Sequence, residues 1–278
     1  MRRHRRWWPV ALMCRVLDVS RSGYYGWLQR HQPDRQHPLL ERVAQIHRRV
    51  GQCYGSRRMA QALQDEGFPV GRYLARKLMR LAGVAVRRKR KYRVGRGSLK
   101  GYPLAPNHLD RQFAVAQPDR VWGTDMTAVW TRQGWVHLAV VLDLYSRKVV
   151  GWALADKDDQ ELALRALRMA IHRRRPAAGV LHHSDRGGPY AGTAYLALLQ
   201  EQGMVRSMSR AGDCWDNAVV ERFFGSLKRE RTYFQTYQNH TAARRDLIDY
   251  IEWFYNDTRL HSYLDYVSPN DFECAGAS

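Results

Sequence analysis

Acidic residues are scarce in the first hundred positions: five Asp and Glu face 25 Lys and Arg, whereas residues 101–278 hold 21 of each. The whole formal charge of +20 therefore sits in residues 1–100. A basic solubility tail is disfavoured, because Leu, Val, Tyr and Trp are interspersed among the charges and an unfolded tail carries few of them. Clustered Lys and Arg next to a neutral remainder read instead as a nucleic-acid-binding module. Cysteines are few, and Cys14, Cys53, Cys214 and Cys274 form no C-x-x-C pair. That argues against a zinc ribbon or a disulfide scaffold and fits a reducing cytosol. There is no uncharged apolar run of about 18 residues, hence no spanning helix and no membrane partner. The opening MRRHRRWWPVALMCRVLD is basic and then apolar, but Arg15 and Asp18 interrupt it and no small-residue cleavage site follows, so it is not read as a signal peptide. Internal repeats and leucine heptads are also absent.

What is present divides the chain. A hydrophobic fraction of 45% is ample for a packed core. ALMCRVLDVSRSGYYGWLQR predicts two short helices, the first with an apolar stripe of Leu12, Val16 and Leu17, the second capped by Ser20 and burying Tyr24, Trp27 and Leu28. Helical periodicity returns at 39–50, in YGSRRMAQALQDEGF with Gly67 as its stop, and in GRYLARKLMRLAGV. The last of these is expected to turn Leu74, Leu78 and Leu81 inward and Arg72, Arg76, Lys77 and Arg80 outward, toward a DNA groove. The run Arg87, Arg88, Lys89, Arg90 and Lys91 follows. The expected boundaries are an N-terminal helix-turn-helix-like segment (1–37), a basic helical DNA-binding domain (38–94), a Gly/Pro-rich linker (95–118), a catalytic core (119–235) and a C-terminal helical extension (236–278).

Beyond the linker the pattern changes to Val-, Trp- and Thr-rich strands. VWGTDMTAVWT and GWVHLAVVLDLYSRKVVGWALAD predict three antiparallel strands turning at Gly134 and at residues 146–148. A helix over DDQELALRALRMAIHRRR, a strand GVLHHSD, a helix, a strand MVRSMS and a long helix from Asp216 to about Tyr233 follow. This order predicts an α/β fold, a mixed sheet covered on both faces by helices.

Asp125 lies inside an apolar strand, where an acid needs a partner, a hydrogen bond or a metal. Asp185 ends the fourth strand and Glu221 lies in the long helix. At about 100° per residue, Asn217, Glu221 and Lys228 share one helix face, the acid toward a metal and the lysine toward a phosphate, while Phe223 and Leu227 face the core. Three converging carboxylates suit Mg2+ or Mn2+ better than zinc. Two such ions serve phosphodiester chemistry, which fits the basic front of the chain. Asp213 and Asp216 read as ordinary caps or surface charges, Asp216 capping the long helix. His182 and His183 lack a third ligand at zinc spacing and read as packing or supporting polar groups.

WGTDMT, HHSDRGGPY and CWDNAVVERFFGSLKRE, with 35 residues between Asp185 and Glu221, resemble the DDE signature of retroviral-integrase-like transposases. VSRSGYYGW, YGSRRM and YIEWFYNDTRLHSYLDYVSPNDFE are similar to the second-reading-frame product, OrfB, of bacterial insertion sequences of the "three" family. The resemblance spans nearly the whole chain. It implies an RNase H-like core with a five-stranded sheet, Asp125, Asp185 and Glu221 as catalytic ligands of two Mg2+ ions, and Lys228 at DNA near the scissile phosphate. It also implies metal-dependent strand cleavage and strand transfer at element ends without a covalent protein–DNA intermediate. The implied partners are the terminal inverted repeats and target DNA, further copies of the chain on that DNA, and an upstream-frame protein joined by frameshifting. The implied setting is the bacterial cytoplasm, at the nucleoid. Arg186 and the Gly187-Gly188 turn let backbone and DNA approach closely. The family usually has serine-glutamine where this chain has Gly188-Pro189. Two other readings compete: a non-catalytic or decayed product that binds the inverted repeats and regulates transposition, against which the intact carboxylates speak, and a structure-specific nuclease, which leaves the helical front unexplained.

Overall fold

A computed structural model describes residues 1, 4–30, 38–87, 105–210 and 214–276. Helices α1 (Val10–Val16) and α2 (Arg21–Arg30) form the N-terminal hairpin. Ser20 Oγ accepts from Gly23 N at 2.9 Å, the expected cap. The expected apolar stripe, however, faces outward: Val16 and Leu17 are exposed, as is Trp27, and Leu28 is only partly buried. Two short helices offer each other too little surface, and Cys14 and Tyr24 are what they bury.

Helices α3 (Leu39–Arg49), α4 (Ser56–Asp65) and α5 (Arg72–Leu81) enclose a second small core built on Val43, Ile46, Met59, Leu63 and Leu78. Gly67, at φ +85°, ends α4 in a conformation that favours glycine. Helix α5 is rotated by about one residue from the expected stripe. Ala75, Leu78 and Met79 point inward, whereas Leu74 is at the surface, because the groove between α3 and α4 receives the 75/78/79 edge. Arg72, Arg76, Lys77 and Arg80 are exposed as expected, joined by an 85%-exposed Tyr73.

The meander consists of β1 (Val121–Thr131), β2 (Gly134–Asp143) and β3 (Val149–Ala155). Its first turn uses Gly134 at φ +111°, a conformation cheap only for glycine, and its second uses Arg147 at φ +61°. Helix α6 (Gln160–Arg174) follows, capped by Asp159 Oδ1, which accepts from Leu162 N at 3.0 Å. Then come β4 (Leu181–Ser184), a 3-10 turn at Gly188–Tyr190, α7 (Thr193–Glu201) and β5 (Val205–Met208). The sheet order is β3-β2-β1-β4-β5, with β1–β2 and β2–β3 antiparallel and β1–β4 and β4–β5 parallel. This is the mixed, RNase H-like arrangement expected, with β1 at its centre.

Helix α8 (Ala218–Glu230), flanked by 3-10 turns, and α9 (His240–Asp249) cover one sheet face, while α6 and α7 cover the other. A π-helix at Tyr250–Thr258 and α10 (Pro269–Gly276) complete the chain. The α3–α5 bundle rests on this C-terminal part. Tyr54 Oη donates to Thr258 O at 3.1 Å and accepts from Leu260 N at 2.9 Å, and Arg58 pairs with Glu230 at 3.3 Å. No helix among the described residues is long and apolar enough to cross a membrane.

Candidate active site

Pleating decides where Asp125 points. Gly123, two residues earlier and therefore on the same face, lies under α8: a Cβ there would meet Val220 Cγ2 at 2.8 Å and Asn217 Oδ1 at 3.8 Å. The antiparallel partner of Asp125, Val140, belongs to the core beneath α8 and α9, which puts Asp125 on the same face. The β1–β4 register runs Val121↔Leu181, Trp122↔His182, Gly123↔His183. Carried two residues further, it sets Asp125 level with Asp185 just past the end of β4. Both acids are partly buried. Asp125 Oδ1 accepts from Met126 N and Asp185 Oδ1 from Gly187 N, each at 2.8 Å.

Glu221 stands in the first turn of α8. Asn217, four residues before it and thus on its face, is the residue preceding the helix and donates its Nδ2 to Thr124 O at 3.1 Å. This bond ties the start of α8, with Glu221 in its first turn, to β1. Asn217 itself is 6% exposed and bound to the strand. Expected as a DNA contact, it instead braces α8 on the sheet. Lys228 is partly buried in the last turn of α8, and Phe223 and Leu227 are buried as expected. Arg186 Nε donates to Ser209 O at 2.8 Å, which tethers the loop after Asp185 to β5.

The polar residues around the acids have clear tasks. His183 lies between Ser207 Oγ at 2.9 Å and Ser209 Oγ at 3.2 Å. His182 Nε2 meets Tyr195 Oη at 3.0 Å. Burial lowers both imidazoles, His183 to about 4 and His182, also beside His183, to about 3. They are neutral, bonded supports of β4, not ligands. Asp216 does not cap α8. It is fully buried and accepts from Arg210 N, Arg210 Nε, Arg111 Nε and Asn107 Nδ2 at 2.9–3.1 Å. Burial opposes its ionisation, but the Arg210 and Arg111 guanidiniums and the backbone donor hold its carboxyl well below the usual range. It fastens segment 107–111 to the start of α8. Asp213, Arg88, Lys89, Arg90 and Lys91 lie outside the described residues. Arg87 is exposed, with its guanidinium 5.3 Å over the Phe234 ring.

One buried residue of the loop after Asp185 escaped sequence reasoning. Tyr190, which closes HHSDRGGPY, is 3% exposed, and its Oη has no hydrogen-bond partner among the described residues. Burial first, then the charge of Asp125, push its ionisation far up, so it keeps its proton. Tyrosine at the end of an acid-containing loop is the only signal in the sequence, and a core role explains it equally well.

Comparison with known proteins fits this geometry. A family profile described as "Integrase core domain" matches residues 115–214, a second with that description matches 221–275, and one described as "HTH-like domain" matches 33–92. A transposase InsF of insertion sequence IS3A from Escherichia coli (strain K12) is 36% identical over 98% of this chain and 96% of its own. The chain belongs to the IS3 family of transposases. An uncharacterized 31 kDa protein of insertion element IS600 from Shigella sonnei is 39% identical over 94% of this chain and 97% of its own. Solved structures that align include a chain of the simian T-cell lymphotropic virus intasome in complex with the PP2A regulatory subunit B56 gamma (TM-score 0.47, 16% identity, 83% of this chain and 74% of that one). The HTLV-2 integrase catalytic core domain in complex with magnesium also aligns (TM-score 0.43, 15% identity, 56% and 97%). Within this IS3-family chain, no group of three or more His, Cys, Asp and Glu arranged to hold a metal occurs among the described residues. The donor chemistry nevertheless fits a hard divalent cation: the acids supply oxygen only, and the neighbouring histidines are bonded elsewhere.

Proposed function

We propose that this chain cleaves and joins DNA strands at the ends of its insertion sequence, with Asp125, Asp185 and Glu221 as the catalytic carboxylates. The observation that carries the reading is the parallel β1–β4 register, which, extended two residues past Gly123↔His183, brings Asp125 level with Asp185 beyond the end of β4. They would hold divalent cations, Mg2+ or Mn2+, together with Glu221. Cations bound there supply activation of the attacking hydroxyl and stabilisation of the leaving oxygen of a phosphodiester. The chain's own residues prepare that chemistry. Backbone N–H groups orient both aspartates, and Asn217 holds α8, hence Glu221, over β1.

DNA would approach along the exposed cations of α5 and the basic residues from Arg87 to Lys91, with Arg186 and Lys228 closer to the reacting phosphate. The domain boundaries given above are part of the same proposal, as are assembly of several copies on paired ends and fusion to an upstream-frame protein. Strand joining of a precleaved end duplex into target DNA tests the reading. Asp125→Asn and Asp185→Asn are expected to abolish joining while leaving end binding intact. A regulator that only binds would show no joining in any form.

A further inference from the structure

Between the α3–α5 bundle and the C-terminal part of the core lies a cleft of about 410 Å³, apart from the three carboxylates. Glu230 lines it at one end of α8, while Glu221 stands near the other, about 14 Å away along the axis. Four arginines face two acids in this cleft. Both acids are already neutralised, Glu230 by Arg259 and Arg58 and Asp249 by Arg231. Arg49 is paired as well, with Glu66 at 3.1 Å. Arg48 and Arg87 are exposed and meet no acid among the described residues. Two such guanidiniums at one cleft attract an anion, and their planar forks match a phosphate.

Cations at a helix end can merely complement its dipole, and Arg48 stands in the last turn of α3. However, the carbonyls of Ile46, His47 and Arg48 already accept from the N–H groups of Val50, Gln52 and Gly51, and Arg87 lies beyond α5, on no helix. The opposite wall is made by the π-helix Tyr250–Thr258, a rare geometry that gathers at functional sites. From it Trp253, 70% exposed, lends the cleft an aromatic face. The volume is that of a small-ligand site, which admits one nucleotide but not a duplex.

We propose that this cleft holds one nucleotide of an unpaired DNA strand, its phosphate between Arg48 and Arg87 and its base against the Trp253 indole. The proposal rests on the reading of the chain as a protein that acts on DNA, but not on the assignment of the three carboxylates.

Photocrosslinking tests it. The full-length protein is bound to a single-stranded oligonucleotide carrying iodouracil, irradiated, and the attachment point mapped by mass spectrometry. A crosslink to Trp253 is expected, lost from the Arg48→Ala/Arg87→Ala double variant at equal DNA occupancy and lowered when the strand is annealed to its complement. Trp253→Ala should weaken single-strand binding at least about 5-fold, the lower end of what one stacked base contributes, and Trp253→Phe should restore most of it. The double variant should lower the slope of log affinity against log salt by about 0.7, the value for one phosphate of a single strand. Melting temperatures should stay within about 2 °C of wild type, since all three side chains are exposed. Crosslinks only at other residues overturn the proposal, as does a Trp253→Ala protein that binds single strands like wild type. Competition by deoxythymidine monophosphate as strong as that by the oligonucleotide marks a free-nucleotide site and overturns the assignment to a DNA strand. If wild type binds neither the single strand nor the end duplex, the DNA reading has failed and takes this proposal with it. If Lys77→Ala weakens binding of the end duplex while Trp253→Ala leaves single-strand binding unchanged, this proposal alone has failed.

Discussion

Glu230→Ala tests how the helical bundle, α8 and the C-terminal segment are tied together. Glu230 Oε1 accepts from Arg259 Nη2 at 2.7 Å and Arg58 Nη1 at 3.3 Å, and Oε2 from Arg259 Nε at 2.8 Å and Tyr250 Oη at 2.9 Å. Arg259 is 6% exposed, and it also meets the neutral groups Ser226 Oγ at 3.2 Å and His261 Nε2 at 3.5 Å. Burial opposes the charge on Glu230, yet Arg259 and Arg58 hold its carboxyl below the usual value. Deleting the carboxylate leaves the Arg259 guanidinium buried without an anion, a loss of about 3–5 kcal/mol. For a chain of this size that is a fall of roughly 10 °C in melting temperature. Arg58→Ala breaks one longer bond from a more exposed side chain and is expected to cost no more than about 1 kcal/mol. Calorimetry and urea unfolding measure both. A Glu230→Ala protein melting within about 2 °C of wild type would refute the assignment of this cluster as a structural tie.

Acid should destabilise the fold through its buried imidazoles. His182, His183 and His261 are lowered to about 3, 4 and 2, chiefly by burial, so their contribution is complete above about pH 6.5 and is lost progressively as pH falls, down to about 4 for His183 and further still for His182 and His261. Buried Asp143, raised to about 6, acts in the opposite sense, gaining stability as pH falls below 6. The net loss from pH 7 to 5 is expected on the order of 4 kcal/mol by urea unfolding, and a flat profile would contradict neutral histidines in β4. Gly151→Ala drives a methyl into the backbone of α6, including Ala170 N at 2.7 Å. It should cost about 1–3 kcal/mol, more than Gly123→Ala, whose methyl meets the movable ends of Val220 and Leu144. Lys77→Ala on α5 should weaken DNA binding and reduce the slope of log affinity against log salt by about 1 in titrations.

The sheet was legible because its strands alternate and its turns carry their own markers, Gly134 and residues 146–148. Helices α3, α4 and α6 were legible from period and stop signals. The exposed stripe of α1 and the rotation of α5 were not, since period alone says that a helix has an apolar side but not which neighbour is large enough to cover it. Leu74 shows the limit: it fits the stripe as well as Ala75 does until the groove of α3 and α4 is known. Asp216 was misread because an acid before a helix commonly caps it, whereas here Arg210 and Arg111, one of them distant in sequence, claim both oxygens. The three carboxylates stood out through their contexts, but the equal level of Asp125 and Asp185 depends on a parallel register that no local pattern encodes.

The most direct measurement is strand cleavage and joining on a supercoiled plasmid carrying the element's own ends, with Mg2+, comparing the wild-type chain with Glu221→Ala at matched DNA occupancy. The account predicts joined products from the wild type and none from the variant, with equal binding to the ends. Equal joining by both proteins would contradict the assignment of Glu221, and with it the carboxylate site on β1, β4 and α8.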